Sequence, residues 1–265
     1  MWAVRLAFHK FEPEKENDKQ PVFILHGLFG KKTNWYSLAD SLCKETDRRV
    51  YVVDARNHGD SPHVPIMDYP SMSDDLQLLM RHEGITKPAL VGHSMGGRIA
   101  MTLALTKVSD GVKVSMGGRI AMTLAFTKVS DEVKVRHLAQ AIPSSKLMEV
   151  AAVTEAVVRS VLLNNIAEDE SNNSFRWVCS LDDIGRNMKH LMRFISYNRS
   201  YHSDALFLAG ANSTYFTKAD YPEVQRLFPR ADMLYIEGAG HWLHLDKPRE
   251  LLDALVPFMN KPSSL

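Results

Sequence analysis

The chain has 265 residues, 45% of them hydrophobic and 24% charged, a globular composition that excludes disordered and collagen-like chains. Lys+Arg 32 against Asp+Glu 31 leaves a net charge of +1, without the basic excess or stripe of a nucleic-acid binder. No stretch approaches the ~18 apolar residues that span a bilayer, so the sequence reads as a soluble intracellular protein. Its two cysteines, Cys43 and Cys179, lack metal-ligand spacing and read as buried reduced thiols.

At the start, Trp2, Val4, Leu6 and Phe8 alternate with less apolar residues. That pattern predicts a strand, in preference to a transit peptide suggested by Arg5, His9 and Lys10. Any targeting segment is then expected upstream or not at all. Val22–Leu25 is a continuous apolar run, as for a strand buried on both faces. Thr33–Thr46 is helix-like, Val50–Val53 is a second buried run, and Asp54–Pro62 is a polar loop after it. Ser73–His82 predicts a helix and Ala89–Val91 a third strand, so the rhythm is that of a parallel sheet with helices on both faces.

A tandem repeat follows. Residues 94–114 and 115–135 differ only at Leu105/Phe126 and Gly111/Glu132. A solenoid needs at least three such units, so the pair is a local duplication inside another fold. Residues 137–200 are expected to form an all-helical insertion. Within it Ser145–Ile166 reads as one helix, Glu168–Ser174 as an acidic loop, and Ile184, Met188, Leu191 and Ile195 as a second helix. Strands return at Ala205–Leu208 and Met233–Ile236, and a helix from Pro248 to Met259 closes the chain. The expected division is therefore a core in two parts, 1–136 and 201–265, around the 137–200 insertion.

Gly92-His93-Ser94-Met95-Gly96 lies directly after a strand and directly before a helix. A strand-to-helix turn that tight needs glycines around a serine held at a strained backbone angle, and it presents the hydroxyl as a nucleophile. His26-Gly27-Leu28-Phe29-Gly30 suits an oxyanion loop, with the backbone N–H groups of Leu28 and Met95 as donors. Gly238-Ala239-Gly240-His241-Trp242 follows the last strand, where His241 can reach Ser94 as general base. His93 reads as a supporting residue. Two look-alikes are set aside. His63 to Asp68 spans a Pro-containing loop, and Ser115 has Lys113 where an elbow needs glycine.

The segments HGLFG, VDARNHGDSP, VGHSMGG, GANSTYF and GAGHWLHLDKP resemble the α/β-hydrolase superfamily. Within it they are most similar to the alpha/beta-hydrolase domain-containing protein eleven group and related bacterial esterases. The resemblance covers about 20–105 and 140–260. It implies an α/β-hydrolase fold with a helical lid and a serine carboxylic ester hydrolase acting on an apolar small-molecule ester. It implies no cofactor and no metal, and, because eukaryotic members are mostly mitochondrial, a mitochondrial site. It carries the nucleophile to Ser94, the base to His241 and the acid to Asp182. Asp182 has a second reading, since Ser180-x-x-Asp183 resembles a capping box and acids favour a first helical turn.

Two departures stand out. Asn212 occupies the position after the penultimate strand where many such enzymes carry the acid. The apolar strand expected after the nucleophile helix is absent as a buried run between 106 and 140, where Val112–Val114 and Val133–Val135 are the strand-like candidates. The second repeat copy is therefore expected to have replaced a strand and to form a helix against the lid or sheet edge. The sheet would be weakened on the His241 side, with weak esterase activity and a low melting temperature. Two alternatives follow: an impaired scaffold that acts through a protein partner, or an acyltransferase on the same fold.

Overall fold

The computed structural model describes residues 2–106, 119–123, 156–169, 174–193 and 196–262. Among them a seven-stranded sheet runs in the order β1-β3-β2-β4-β5-β8-β9. The strands are β1 (Phe8–Phe11), β2 (Val22–Leu25), β3 (Val50–Val53), β4 (Ala89–His93), β5 (Ile120–Thr123), β8 (Ala205–Gly210) and β9 (Ala231–Ile236). Only β1 is antiparallel, paired on the edge with β3; the other pairings are parallel. Every residue of β2, β3, β4 and β8 is buried, as a sheet covered on both faces requires.

One face packs on α1 (Tyr36–Thr46) and the closing helix α8 (Pro248–Asn260), through Trp35, Leu38, Leu42, Leu251, Leu255 and Phe258. The other packs on α2 (Tyr69–His82) and α3 (Met95–Thr106), through Met72, Leu76, Ile99 and Leu103. Strand β1 begins at Phe8, so the alternation at Trp2–Leu6 does not make a strand. Helix α1 is preceded by a 3-10 turn at Lys32–Trp35. Helix α2 starts at Tyr69, earlier than its apolar spacing suggests, because Asp68 caps it by accepting a hydrogen bond from Ser71 N at 2.8 Å. That cap accounts for Asp68, the acid of the first look-alike.

The repeat is resolved differently from expectation. Residues 120–123 of the second copy are not a helix at the sheet edge. They form β5, inside the sheet and parallel to both β4 and β8, with His93 opposite Thr123 and Met122 opposite Phe207. The same five residues, Arg-Ile-Ala-Met-Thr, are helical at 98–102 and precede or form a strand at 119–123. Local propensity is identical in the two copies, so the tertiary setting decides. The first copy is joined to the turn after β4 and continues as α3. The second fills a slot whose flanking strands would otherwise leave buried N–H and C=O groups unpaired. Ala121 and Met122 are fully buried there, and Arg119 O accepts from Leu90 N at 2.9 Å. Val112–Val114 and Val133–Val135 lie outside the described residues. We expect Ala121→Pro, which removes a ladder donor from this central strand and leaves its acceptor buried and unpaired, to cost about 1–3 kcal/mol. A thermal melt unchanged from the parent would place residue 121 outside the sheet.

The insertion is not all helical. It holds α4 (Ala156–Leu163), an antiparallel hairpin of β6 (Ile166–Asp169) and β7 (Ser174–Trp177), and α5 (Leu181–Met192). Thus Ile166 ends no helix but starts a strand, and the segment read as an acidic loop is flanked by hairpin strands. Most of the single helix expected over 145–166 lies outside the described residues. Two short helices complete the described chain, α6 (Tyr221–Leu227) and α7 (Leu243–Asp246).

Candidate active site

The loops that follow β2, β3, β4, β8 and β9 all leave the carboxyl edge of the sheet, the side on which open α/β sheets carry their ligands. Ser94 sits at the turn between β4 and α3 with φ of +52°, a left-handed value costly for a residue with a Cβ. Two glycines make the turn possible. A Cβ on Gly92 would stand 2.5 Å from Gly96 O, and one on Gly96 would collide with Leu25 O on β2. Met95 follows as the first residue of α3, so its N–H belongs to the helix N-terminus, where unpaired donors favour negative charge.

The HGLFG segment passes close to this turn, since a Cβ on Gly27 would lie 3.4 Å from Ser94 Cβ. Gly30 N donates to Gly27 O at 2.9 Å, closing a turn with Leu28 and Phe29 at its centre. His241 lies in the loop after β9. His93, fully buried beside Ser94, donates from Nε2 to His241 O at 3.0 Å, and the two rings are 4.8 Å apart. Asp246 supports the same loop by accepting from Gly240 N at 2.8 Å. His241 also stacks on Tyr215, with ring centroids 4.3 Å apart. Burial, and after it the nearby His93, holds the His241 pKa well below the ordinary 6.5. The imidazole is therefore neutral at pH 7 and able to accept a proton.

The structure thus places Ser94, Met95, the Gly27–Gly30 turn and the His241 loop on one edge of the sheet, with His93 hydrogen-bonded to the His241 carbonyl. It does not bring Asp182 into the group. Asp182 is exposed in the first turn of α5, where its neighbour Asp183 accepts from Ser180 Oγ and pairs with Arg186, both at 2.6 Å. Ser180 N donates not to an acid but to Asn57 O at 2.9 Å. His241 Nδ1 is buried and has no hydrogen-bond partner among the described residues. Asn212, in the loop after β8, donates its backbone N–H to Ala239 O at 2.9 Å and so ties the β8 and β9 loops together.

Sequence reasoning missed Tyr215, His58 and Asn165. His58 belongs to the Asp54–Pro62 segment, which patterning marks only as a polar loop. Asn165 has no sequence signal at all, since the partner that ties it to the site, Phe29, lies 136 positions away. Among the described residues no group of histidines, cysteines and acids is arranged to hold a metal ion, and no helix is long and apolar enough to cross a membrane.

A strand-elbow-helix serine, an oxyanion-type turn and a histidine after the last strand define the class of hydrolase-fold proteins. The chain belongs to the alpha/beta hydrolase family, whose model matches residues 22–254. It is similar to the zebrafish (Danio rerio) protein named sn-1-specific diacylglycerol lipase ABHD11, at 37% identity over 97% of this chain and 83% of that protein. It is also similar to the esterase YbfF of Escherichia coli (strain K12), at 30% identity over 93% of this chain and 96% of the other. Among solved structures, a marine microorganism esterase superposes with a TM-score of 0.84 at 31% identity, covering 97% of this chain and all (100%) of that one.

Proposed function

We propose that this protein is a serine carboxylic ester hydrolase that works through an acyl-enzyme on Ser94. The observation that carries the reading is the left-handed Ser94 at the elbow with the His241 loop hydrogen-bonded to its neighbour His93. In this mechanism neutral His241 takes the Ser94 proton as the hydroxyl attacks the ester carbonyl. The N–H groups of Leu28 and Met95 receive the oxyanion, and His241 returns the proton to the departing alcohol. Water repeats the sequence on the acyl-enzyme. A relative named diacylglycerol lipase and another named esterase support an ester substrate, the lipase name favouring an apolar acyl chain, bound beside the inserted elements α4, β6–β7 and α5. The expectation of an impaired scaffold rested on a missing strand; with β5 in the sheet, an active enzyme is the better reading.

Asp182 is assigned as the orienting acid. In that role, which the family resemblance alone gives it, its carboxylate would accept a hydrogen bond from His241 Nδ1, the ring position left without a partner among the described residues. The test is Asp182→Asn, assayed on a p-nitrophenyl ester. As the acid, Asp182 should contribute on the order of 10⁴-fold in kcat, with the fold intact. Activity within a few-fold of the parent would leave Asp182 as a first-turn acid of α5 and no more.

A further inference from the structure

The Asp54–Pro62 loop is fully engaged, yet the mechanism above uses none of it. Its bonds converge on the oxyanion turn. Ala55 N donates to His26 Nε2 at 3.0 Å, Lys32 N donates to Asp54 Oδ1 at 2.6 Å, and Phe29 N donates to His58 Nε2 at 3.2 Å. His58 is fully buried, and its Nδ1 donates to Arg56 O at 3.0 Å, which leaves Nε2 as the acceptor. From the opposite side comes Asn165, at the end of α4 and also fully buried. Its Nδ2 donates to Phe29 O and, at 2.9 Å, to Val161 O. Two carbonyl partners settle which amide atom is the nitrogen.

The Gly27–Gly30 turn needs such bracing. Phe29, its third residue, has φ of +59°, whereas Leu28 is not among the positive-φ residues. That combination is a type II turn, whose third position favours glycine. A bulky side chain there costs about 1–2 kcal/mol. The cheap escape is rotation of the Leu28–Phe29 peptide toward a type I turn, which would swing the Phe29 N–H off His58 and release the turn from its anchor.

We propose that His58 and Asn165 are positioning residues for the oxyanion hole, clamping the two peptide units that flank Phe29 so that the turn as a whole, and with it the Leu28 N–H, keeps its place toward the oxygen of the carbonyl attacked by Ser94. This rests on the reading of Leu28 as an oxyanion donor. Asn165 also accepts Val178 N at 2.8 Å through its own carbonyl, so the clamp joins the oxyanion turn to the inserted α4 and hairpin. The insertion thereby takes part in assembling the hole.

The experiment compares the parent with Asn165→Ala and His58→Ala on p-nitrophenyl butyrate. Rates are expressed per active site, counted by complete labelling with a fluorophosphonate, so that misfolded protein drops out. Removing an oxyanion donor outright costs roughly 10²–10³-fold, and a loosened one should cost about 10–100-fold in kcat with KM within a few-fold. Affinity for a simple alkylboronic acid, which forms a tetrahedral adduct on the serine, should fall by a similar factor. Unchanged kcat per titrated site and unchanged boronate affinity in Asn165→Ala, with only the titre or melting temperature reduced, would show a merely structural bond and overturn the proposal. A parent chain that hydrolyses no ester and takes no label on Ser94 overturns the esterase reading instead, and this inference with it.

Discussion

Ser94→Ala should lower kcat for ester hydrolysis by about 10⁶-fold, the scale on which removal of a catalytic serine abolishes the covalent route. The protein should otherwise fold as before, since the change relieves a left-handed serine of one oxygen and keeps the backbone bond from Arg98 N to Ser94 O at 3.1 Å. A fluorophosphonate should label Ser94 in the parent and nothing in the variant. Ser115 repeats the Ser-Met-Gly-Gly sequence but follows Lys113-Val114. At the elbow, the equivalent of Lys113 is Gly92, where a Cβ would stand 2.5 Å from Gly96 O. Peptide mapping that finds the label on Ser115, or Ser94→Ala that keeps its activity, would refute the nucleophile assignment.

Acidification should unfold the protein well above the pH at which carboxylates alone would act. Burial, the first cause in each case, pushes the histidine pKa values down from 6.5, to about 3 for His58, about 4 for His93 and about 2 for His244. His26 and His241 are lowered as well, again chiefly by burial. Below pH 6.5 the unfolded chain binds protons at these rings and the folded chain does not. Stability is therefore fully present above 6.5 and is lost as pH falls from 6.5 toward the folded values. Each such histidine contributes about 1.4 kcal/mol per pH unit in that window. For His58, His93 and His244 together the loss by pH 5 is roughly 6 kcal/mol, comparable to the whole stability of many domains. Asp54 acts in the same direction at lower pH. Although burial opposes its charge, His26, Lys32 and the Asp60 amide hold it below the ordinary carboxylate range. Urea midpoints measured from pH 7.5 to 4.5 should fall steeply below 6.5. A flat profile down to pH 5 would mean that these rings are not buried as neutral groups.

The most legible parts were those whose chemistry is contiguous. Gly92–Gly96 needs its glycines for steric reasons that act within five residues, and the carbonyl of β2 that Gly96 approaches only sharpens them. The runs Val22–Leu25, Val50–Val53 and Ala89–Val91 announce strands because both of their faces are buried. His241 could be found because it follows the last apolar run, Met233–Ile236. Asp182 was harder. Its neighbours Ser180 and Asp183 do interact, and neither spacing nor periodicity says whether the next carboxylate serves a helix start or a distant imidazole. The hairpin at 166–177 was hidden by its polar exposed face, with Phe175 the apolar exception at 52% exposure.

By itself the sequence determined the strands β2, β3, β4, β8 and β9, helices after several of them, and the tight glycine-lined turn at Gly92–Gly96, because each depends on neighbours close along the chain. What only the tertiary structure decided is shown most sharply by Arg-Ile-Ala-Met-Thr, present twice. At 98–102 it is helix, with Arg98 donating to Leu191 O at 2.8 Å. At 119–123 it enters and forms a central strand, with Arg119 donating to Met259 O at 2.7 Å. No rule of composition or period can separate identical words. The difference lies in the partners each copy meets, a continuous helix seam for the first and two open rows of backbone donors and acceptors for the second. The bracing of Phe29 by His58 and Asn165 was likewise a tertiary decision, since the three residues share no local pattern and meet only when the loop after β3 and the turn after α4 close on the two peptides of that one residue.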